Sequence, residues 1–254
     1  METEPPGNAD VLPPHPGLDR YYEGAKDGFV RRIFDQGAAD YDRIEKMMAL
    51  GSGSWYRRKA LLRAGLQPGM KVLDVAIGTG LVAREEIAIT GDGANVTGVD
   101  PSAGMLAEAR RALDVGAVRG KAEDLPLAND AFDFLSMGYA LRHVSDLHRA
   151  FAQFSRVLAP GGSLCILELT RPRGNVRSAL LRWYMGSLIP TLARLVTRGN
   201  QSRLLWRYYW DTIESCISPE KVLAALAAAG FTDVKRHTEL GIFSEYTARK
   251  PTTD

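Results

Sequence analysis

Residues 73–80 read LDVAIGTG, and the fold turns on how these eight residues divide. With the preceding PGMKV (68–72), the LDV triplet forms a turn followed by a short apolar run, the signature of a buried strand. Gly78 and Gly80 then make a sharp turn, and TGLVAREEIAI (79–89) continues with helical spacing. Glycines at such a turn let the backbone pass close to a ligand, because no Cβ stands in the way. Twenty residues beyond Gly80, Asp100 ends a second strand, VTGVD (96–100). A carboxylate at that place can accept hydrogen bonds from both hydroxyls of a ribose.

The alternation continues outward from this unit. PSAGMLAEARRAL (101–113) reads as a helix with Pro101 and Ser102 in its first turn, and VGAVRGKAEDL (115–125) as a short strand and loop. FDFLSMG (132–138) is a fourth strand, LHRAFAQFSRVL (147–158) an amphipathic helix stopped by PGG, and SLCILEL (163–169) a fifth strand. Strands alternating with helices predict an α/β fold with a mostly parallel, doubly wound sheet. Helical patterns occupy 28–50 and 54–66 upstream and about 174–216 downstream. PEKVLAALAAAGF (219–231) is a last helix, and VKRHTEL with IFSEYTARK forms a closing hairpin. Residues 1–18 hold five prolines and little to bury, which predicts a disordered tail ahead of one domain over 19–254.

The composition suits a globular chain with a single sizeable core: 254 residues, 45% hydrophobic, 24% charged, net charge +2. That balance excludes a global attraction to nucleic acid or membrane. The charge is uneven, however, with eight arginines and no Asp or Glu between Arg171 and Arg207. One reading of this stretch is a helical insert packed on the sheet with its arginines in water. The other is an apolar-walled lid that admits a greasy substrate from a membrane surface, where arginines meet anionic head groups. No nucleic-acid recognition motif accompanies the arginines. Cys165 and Cys216 have neither metal nor redox spacing, and Cys165, inside SLCILEL, reads as a buried thiol. The N-terminus lacks the apolar core of a signal peptide, and no apolar run is long enough to span a bilayer. A cytoplasmic location, with or without peripheral membrane contact, is the expectation.

The glycine turn also fits the G-x-G-x-x-A of a nicotinamide site, through Gly78, Gly80 and Ala83. Asp74 opposes that reading, since a carboxylate just ahead of the turn repels a pyrophosphate and suits a cationic ligand. S-adenosylmethionine, with its sulfonium and ammonium, explains Asp74 better. The set resembles the class I S-adenosylmethionine-dependent methyltransferases, and within them the ubiquinone/menaquinone biosynthesis C-methyltransferase family. The resemblance rests on AADYDRIEKMMALG (38–51), LDVAIGTG, AEDLPLANDAFD (122–133), YALRHVSD (139–146), RVLAPGG (156–162) and LELTRP (167–172). It implies a Rossmann-like seven-stranded sheet with the last strand antiparallel, an N-terminal helical region and a helical lid at about 174–216. It further implies that Asp74 holds the methionine amino end, Asp100 the ribose, and the Ala122 amide and Glu123 the adenine. Ala76, Gly78, Thr79, Gly80, Pro101, Met105 and Gly138 complete the expected cofactor-binding set, and no metal is expected. Lys121 departs from the family's usual Asp or Asn; lysine has no acceptor for the adenine amino group.

On the acceptor side, methyl transfer is an in-line displacement that needs an aligned nucleophile and a way to remove its proton. A quinol carbon is nucleophilic when a neighbouring hydroxyl is ionised. Arg142, a permanent cation shared with the family pattern, suits that phenolate. His143 replaces the usual Asn and could itself act as a base, which opens N- or O-methylation of a heteroaromatic molecule as an alternative; a loop histidine bonded to backbone is the plainer reading. Tyr41 and Asp42 match the family's YD pair and read either as substrate contacts or as a surface tyrosine and a helix cap. Glu245 and Tyr246 stand where a His-containing strand is usual, which leaves the acceptor open between a quinol-type ring and other aromatics. A catalytically silent binding module is the reading from another class, and the intact Asp74, Gly78, Gly80 and Asp100 oppose it. Nothing in the sequence speaks to oligomeric state.

Overall fold

Four consecutive buried residues begin the sheet: Val72–Val75 (β1) have no exposed face, as expected for a strand covered on both sides. The computed structural model describes residues 52–170 and 211–252, together with Leu12, Gly28, Arg32, Phe34, Asp35, Gly174 and Trp183. The helix α1 (Gly53–Arg63) precedes β1, and α2 (Ala83–Thr90) follows it. The chain continues through β2 (Val96–Asp100), α3 (Ala103–Ala112), β3 (Gly116–Arg119), β4 (Phe132–Gly138), α4 (Leu147–Val157) and β5 (Leu158–Leu169). It closes with α5 (Pro219–Ala228), β6 (Thr232–Glu239) and β7 (Phe243–Arg249).

The seven strands form one sheet in the order β3-β2-β1-β4-β5-β7-β6. Every pairing from β3 to β5 is parallel, and β7 runs antiparallel to both β5 and β6. The fold expected from the sequence, including the antiparallel last strand, is the one observed. Side-chain alternation divides the interior into two layers. On one face Leu73, Val75, Leu135, Met137, Leu164 and Ile166 pack with Phe151 and Phe154 of α4 and with Val222 and Leu226 of α5. On the other, Val72, Phe134, Cys165 and Leu167 pack with Ala60 and Leu61 of α1 and Ala83 and Ile89 of α2. Cys165 is the buried thiol the sequence predicts.

Local chemistry accounts for the helix ends near the site. Ser102 caps α3 by accepting the Met105 N–H at 3.1 Å, and Asp146 caps α4 by accepting the His148 N–H at 3.0 Å. In α4 the buried Leu147, Ala150, Phe151, Phe154 and Val157 fall on one stripe. Each large side chain on such a stripe contributes about 1.5–3 kcal/mol, enough to hold the loop ahead of α4 against the sheet.

Two details differ from expectation. PGG does not separate α4 from the fifth strand; β5 already starts at Leu158 and runs through it. Gly161 takes φ +79°, and the ladder skips, Phe132 pairing with Leu158 but Phe134 with Ser163. The turn residues make a bulge inside a strand. The second detail lies within the expected tail. Leu12 is half-buried against the core; its N–H donates to Asp146 Oδ1 at 3.3 Å, and its carbonyl accepts the Leu147 N–H at 3.0 Å. The helical lid at about 174–216 and the pair Tyr41 and Asp42 lie almost wholly or wholly outside the described residues. Among the described residues, no helix is long and apolar enough to cross a membrane.

Candidate functional site

From β1 the chain builds outward through β2 and β3 on one side, whereas β4 is followed by β5 on the other. The carboxyl ends of β1 and β4 therefore flank the topological switch point, where open α/β sheets bind ligands. The backbone there is unusual. Ala76, just past β1, has φ +59°, and Tyr139, just past β4, has φ +58°. Left-handed non-glycine residues are costly and tend to mark functional turns. Between them lies the glycine turn, with Gly78 at φ +57° and Gly80 at φ +89°. A Cβ on Gly78 would meet nothing nearer than the Ala76 carbonyl at 3.9 Å, whereas one on Gly80 would lie 2.4 Å from Leu113 Cδ1. Gly80 is favoured by its left-handed backbone and by the close Leu113 side chain at the end of α3, and Gly78 leaves open room for a ligand.

Asp100 pins this turn. Its Oδ2 accepts the Gly78 N–H at 3.0 Å and its Oδ1 accepts the Ser102 N–H at 2.8 Å. Burial raises its carboxyl to about 6, against the pull of these two N–H groups and with a small push from Asp35. Each oxygen keeps a lone pair for a ribose hydroxyl. Asp74 is 1% exposed. Its Oδ1 accepts from the Ser136 hydroxyl at 3.2 Å, and its Oδ2 has no close donor, although the Ala83 N–H at the start of α2 also favours the carboxylate. Burial, then the neighbouring Glu86, holds its carboxyl well above the usual range. A buried carboxylate oxygen without a donor is costly until a cation reaches it, so Asp74 and the room over Gly78 fit a nucleoside cofactor that carries an ammonium.

The remaining sequence-predicted positions lie on the elements and loops that follow β1 to β4. Thr79 and Met105 are buried, and the Pro101 carbonyl accepts from Arg119 Nε at 3.3 Å. Gly138 could not carry a Cβ, which would lie 2.5 Å from Val82 Cγ2. Ala122 is half-buried in a tight turn closed by the Asp124 N–H and the Lys121 carbonyl at 3.1 Å. Glu123 has a tie that the sequence does not suggest. Its carboxylate accepts the Ser145 N–H, and its carbonyl accepts Arg149 Nε at 2.9 Å. The loop after β3 is thereby tied to the loop after β4.

That second loop carries Arg142 and His143 in a single tight turn over Leu141–His143. The Arg142 side chain has no exposed surface and forms an ion pair with Glu168 of β5, whose Oε2 also accepts the Arg142 N–H at 3.3 Å. Burial raises the Glu168 carboxyl, and the Arg142 charge opposes that shift. The His143 ring is half-buried and meets the Phe34 ring edge-on, with centroids 5.1 Å apart. Next to Phe34, Asp35 Oδ1 accepts from the Ser102 hydroxyl and from the Gly104 N–H at 3.0 Å. Phe34 and Asp35 thus touch both the acceptor-side loop and the cap of α3 beside Asp100. Sequence reasoning missed Phe34, Asp35, Glu86 and Glu168. The signal for Glu168 was present, as the lone acid in an apolar strand; Phe34 and Asp35 carry no local signature.

His237, Glu239 and Glu245 bring their ligand atoms within 4.8 Å of one another on the β6–β7 hairpin. Their carboxylates are already paired: Glu245 with Arg63 at 2.6 Å and Glu239 with Lys59 at 3.2 Å. The cluster is a salt-bridge network that fastens the hairpin to α1. It places Glu245, one of the residues that sets this chain's ending apart, in a structural role.

With this geometry in place, similarity to known proteins is informative. The profile of the ubiE/COQ5 methyltransferase family matches residues 22–250. A ubiquinone/menaquinone biosynthesis C-methyltransferase of Coxiella burnetii (strain Dugway 5J108-111) is 32% identical over 219 residues, 84% of this chain and 86% of that protein. Its namesake in Pseudomonas aeruginosa (strain LESB58) is 32% identical over 247 residues, 94% of this chain and 95% of that protein. Among solved structures, a Thermotoga maritima S-adenosylmethionine-dependent methyltransferase superposes with a TM-score of 0.61 at 20% identity, over 87% of this chain and 99% of that one. The strand order, the pinned glycine turn and two full-length relatives agree: the chain belongs to the ubiE/COQ5 methyltransferase family and is an S-adenosylmethionine-dependent methyltransferase.

Proposed function

We propose that the enzyme methylates a ring carbon of a quinol-type acceptor. The observation that carries this reading is the near full-length similarity to two C-methyltransferases of quinone biosynthesis. S-adenosylmethionine supplies an electrophilic methyl and is released as S-adenosylhomocysteine. Asp74 receives the ammonium, Asp100 the ribose hydroxyls, and the turn at Ala122 and Glu123 the adenine. The ring carbon forms its bond to the methyl as the carbon–sulfur bond breaks in line, and the ring then gives up its proton to solvent and regains aromaticity. The loop over 139–146 faces this reaction from the end of β4.

Within the loop, Arg142 acts mainly by position. Its charge is matched by Glu168 inside the protein, which shifts weight away from direct phenolate stabilisation and towards holding His143 and Tyr139 in place. His143, packed edge-on against Phe34, forms a wall of the acceptor pocket, and the family resemblance gives Tyr41 the role of an acceptor contact.

Labelled cofactor incubated with a panel of quinols and N-heterocycles tests the reading through the atom that receives the label. Label on a ring carbon supports it; label on nitrogen or oxygen overturns it. A companion variant, His143→Asn, is expected to keep kcat within about threefold, because asparagine preserves a polar wall and no proton is assigned to the imidazole. A loss of about a hundredfold or more would make His143 a general base and favour the heteroatom chemistry.

A further inference from the structure

Glu86, the acid beside Asp74, is one of the least comfortable groups in the protein. It lies on the first turns of α2, facing the sheet, with no exposed surface, and neither carboxylate oxygen accepts a hydrogen bond. With Asp74 Oδ2, three buried carboxylate oxygens lack a donor on one side of the glycine turn. Asp74 and Ser136 are register partners in β1 and β4, so their side chains stand on the same face, under α2. The Ser136 hydroxyl, bonded to Asp74 Oδ1, lies close enough to Glu86 to favour its ionised form.

The surroundings offer no compensating charge. On β1 the neighbour is Asp74, which in turn feels Asp100 of β2, both acids. Cys165 on β5, the register partner of Ser136, is a thiol that burial keeps protonated. On β7 Glu245 is held by Arg63 of α1, and Tyr56 of α1 is a phenol pushed up by burial. Beside Glu86 on its own helix, Glu85 accepts from Ser54. On α1, Arg57 is a buried cation, yet burial and the Ser136 hydroxyl are the influences on the Glu86 carboxyl, with no basic group among them. Two facing carboxyls without a counter-ion share protons rather than ionise together. Such a pair persists at a stability cost, and a cationic ligand would remove that cost.

We infer that Glu86 is a second carboxylate for the cofactor's ammonium: Asp74 and Glu86, bridged by Ser136, form a two-acid pocket for the amino group of the methionine end. The inference rests on the assignment of that end to Asp74. Without ligand the pair retains a proton: burial lifts both carboxyls, Glu86 to about 7 and Asp74 well above the usual carboxylate range. The ammonium displaces that proton, which couples cofactor affinity to pH. The sign follows from the direction of the shift. A raised carboxyl keeps a proton in the folded state over a range where the unfolded chain has released it. The ligand-free fold therefore loses stability as pH rises from the unfolded value of 4.5 to about 7, while cofactor affinity rises through the upper part of that window.

Calorimetry on the whole protein with two probes tests this. S-adenosylhomocysteine carries the ammonium, and 5′-methylthioadenosine has the same nucleoside without the amino-acid end. For Glu86→Gln at pH 8, S-adenosylhomocysteine is expected to bind about tenfold more weakly, as befits a lost charged contact, with methylthioadenosine unchanged. Between pH 6 and 8 the extra affinity of S-adenosylhomocysteine over methylthioadenosine rises in the wild type and rises less steeply in the variant, where Asp74 alone answers the ammonium; the comparison cancels the titration of Asp100. The ligand-free variant melts at or above the wild-type temperature at pH 8, because it loses a buried charge. Equal weakening of both probes with a lower melting temperature would make Glu86 structural, and unchanged binding of both would remove it from the site; either result overturns the inference. Failure of the wild type to bind either probe would instead refute the cofactor assignment beneath it.

Discussion

Asp100→Ala is expected to weaken S-adenosylhomocysteine binding by a hundredfold or more, the largest effect of any single change on the cofactor side. Two losses combine. Hydrogen bonds from the ribose hydroxyls to a charged acceptor contribute about 1.5–3 kcal/mol each, and a methyl group accepts neither. The Gly78 and Ser102 N–H groups also lose the carboxylate that holds them, so the glycine turn is no longer pinned to the end of β2. Asp100→Asn separates the two losses: its single carbonyl oxygen can hold one N–H and one hydroxyl, and affinity is expected to fall between wild type and alanine. The stability effect depends on pH with a definite sign. The Asp100 carboxyl rises from 3.8 to about 6 on folding, so the wild type becomes less stable as pH climbs through that window. Alanine lacks this penalty but loses both N–H partners. The gap in melting temperature between wild type and Asp100→Ala is therefore wider at pH 5 than at pH 7.5. Calorimetric titration and thermal melts at the two pH values check both parts; undiminished binding in the alanine variant would show that the ribose lies elsewhere.

The parts of this site that can be read in sequence are those whose chemistry is local. LDVAIGTG announces a strand, a turn and a helix because apolar period and glycine placement act within a few residues. Asp100 is found at a fixed distance from the turn because a βαβ unit has a nearly constant length. Even the antiparallel closing strand is visible, since a short turn between two strand-like runs joins only antiparallel neighbours. The groups that escaped notice are joined through space. Arg142 and Glu168 are 26 residues apart, and Glu86 meets Asp74 and Ser136 only because α2 folds back over β1 and β4. No spacing rule links them. A weaker cue does exist: Glu86 and Glu168 are acids in stretches that pattern as buried, and a buried acid needs a partner or a ligand. The PGG stretch failed for the opposite reason. Proline and glycine read as a stop, yet a bulge also accommodates them inside a strand.

Arg142→Met is expected to destabilise the protein by about 3–5 kcal/mol, because removing one partner of a buried ion pair leaves the other charge without compensation. At about 2–4 °C per kcal/mol for a chain of this size, the melting temperature should fall by roughly 10 °C. The loss should shrink as pH falls. Burial already raises the Glu168 carboxyl and the Arg142 charge opposes it, so without the arginine that carboxyl takes up a proton at higher pH and sheds its charge. The double variant Arg142→Met with Glu168→Leu removes both charges and is expected to recover most of the stability, since apolar replacements of buried pairs are often neutral or better. That variant also decides what Arg142 does for catalysis. A residue that works by holding the 139–146 loop can be replaced by packing that holds it equally well, and the refolded double variant then keeps kcat within about tenfold while KM rises. A residue whose cation faces the reacting ring cannot be replaced in that way. A double variant that is fully stable, binds S-adenosylhomocysteine normally and has lost kcat by a thousandfold would return Arg142 to the reacting atoms, and would mean that Glu168 tempers its charge rather than occupies it.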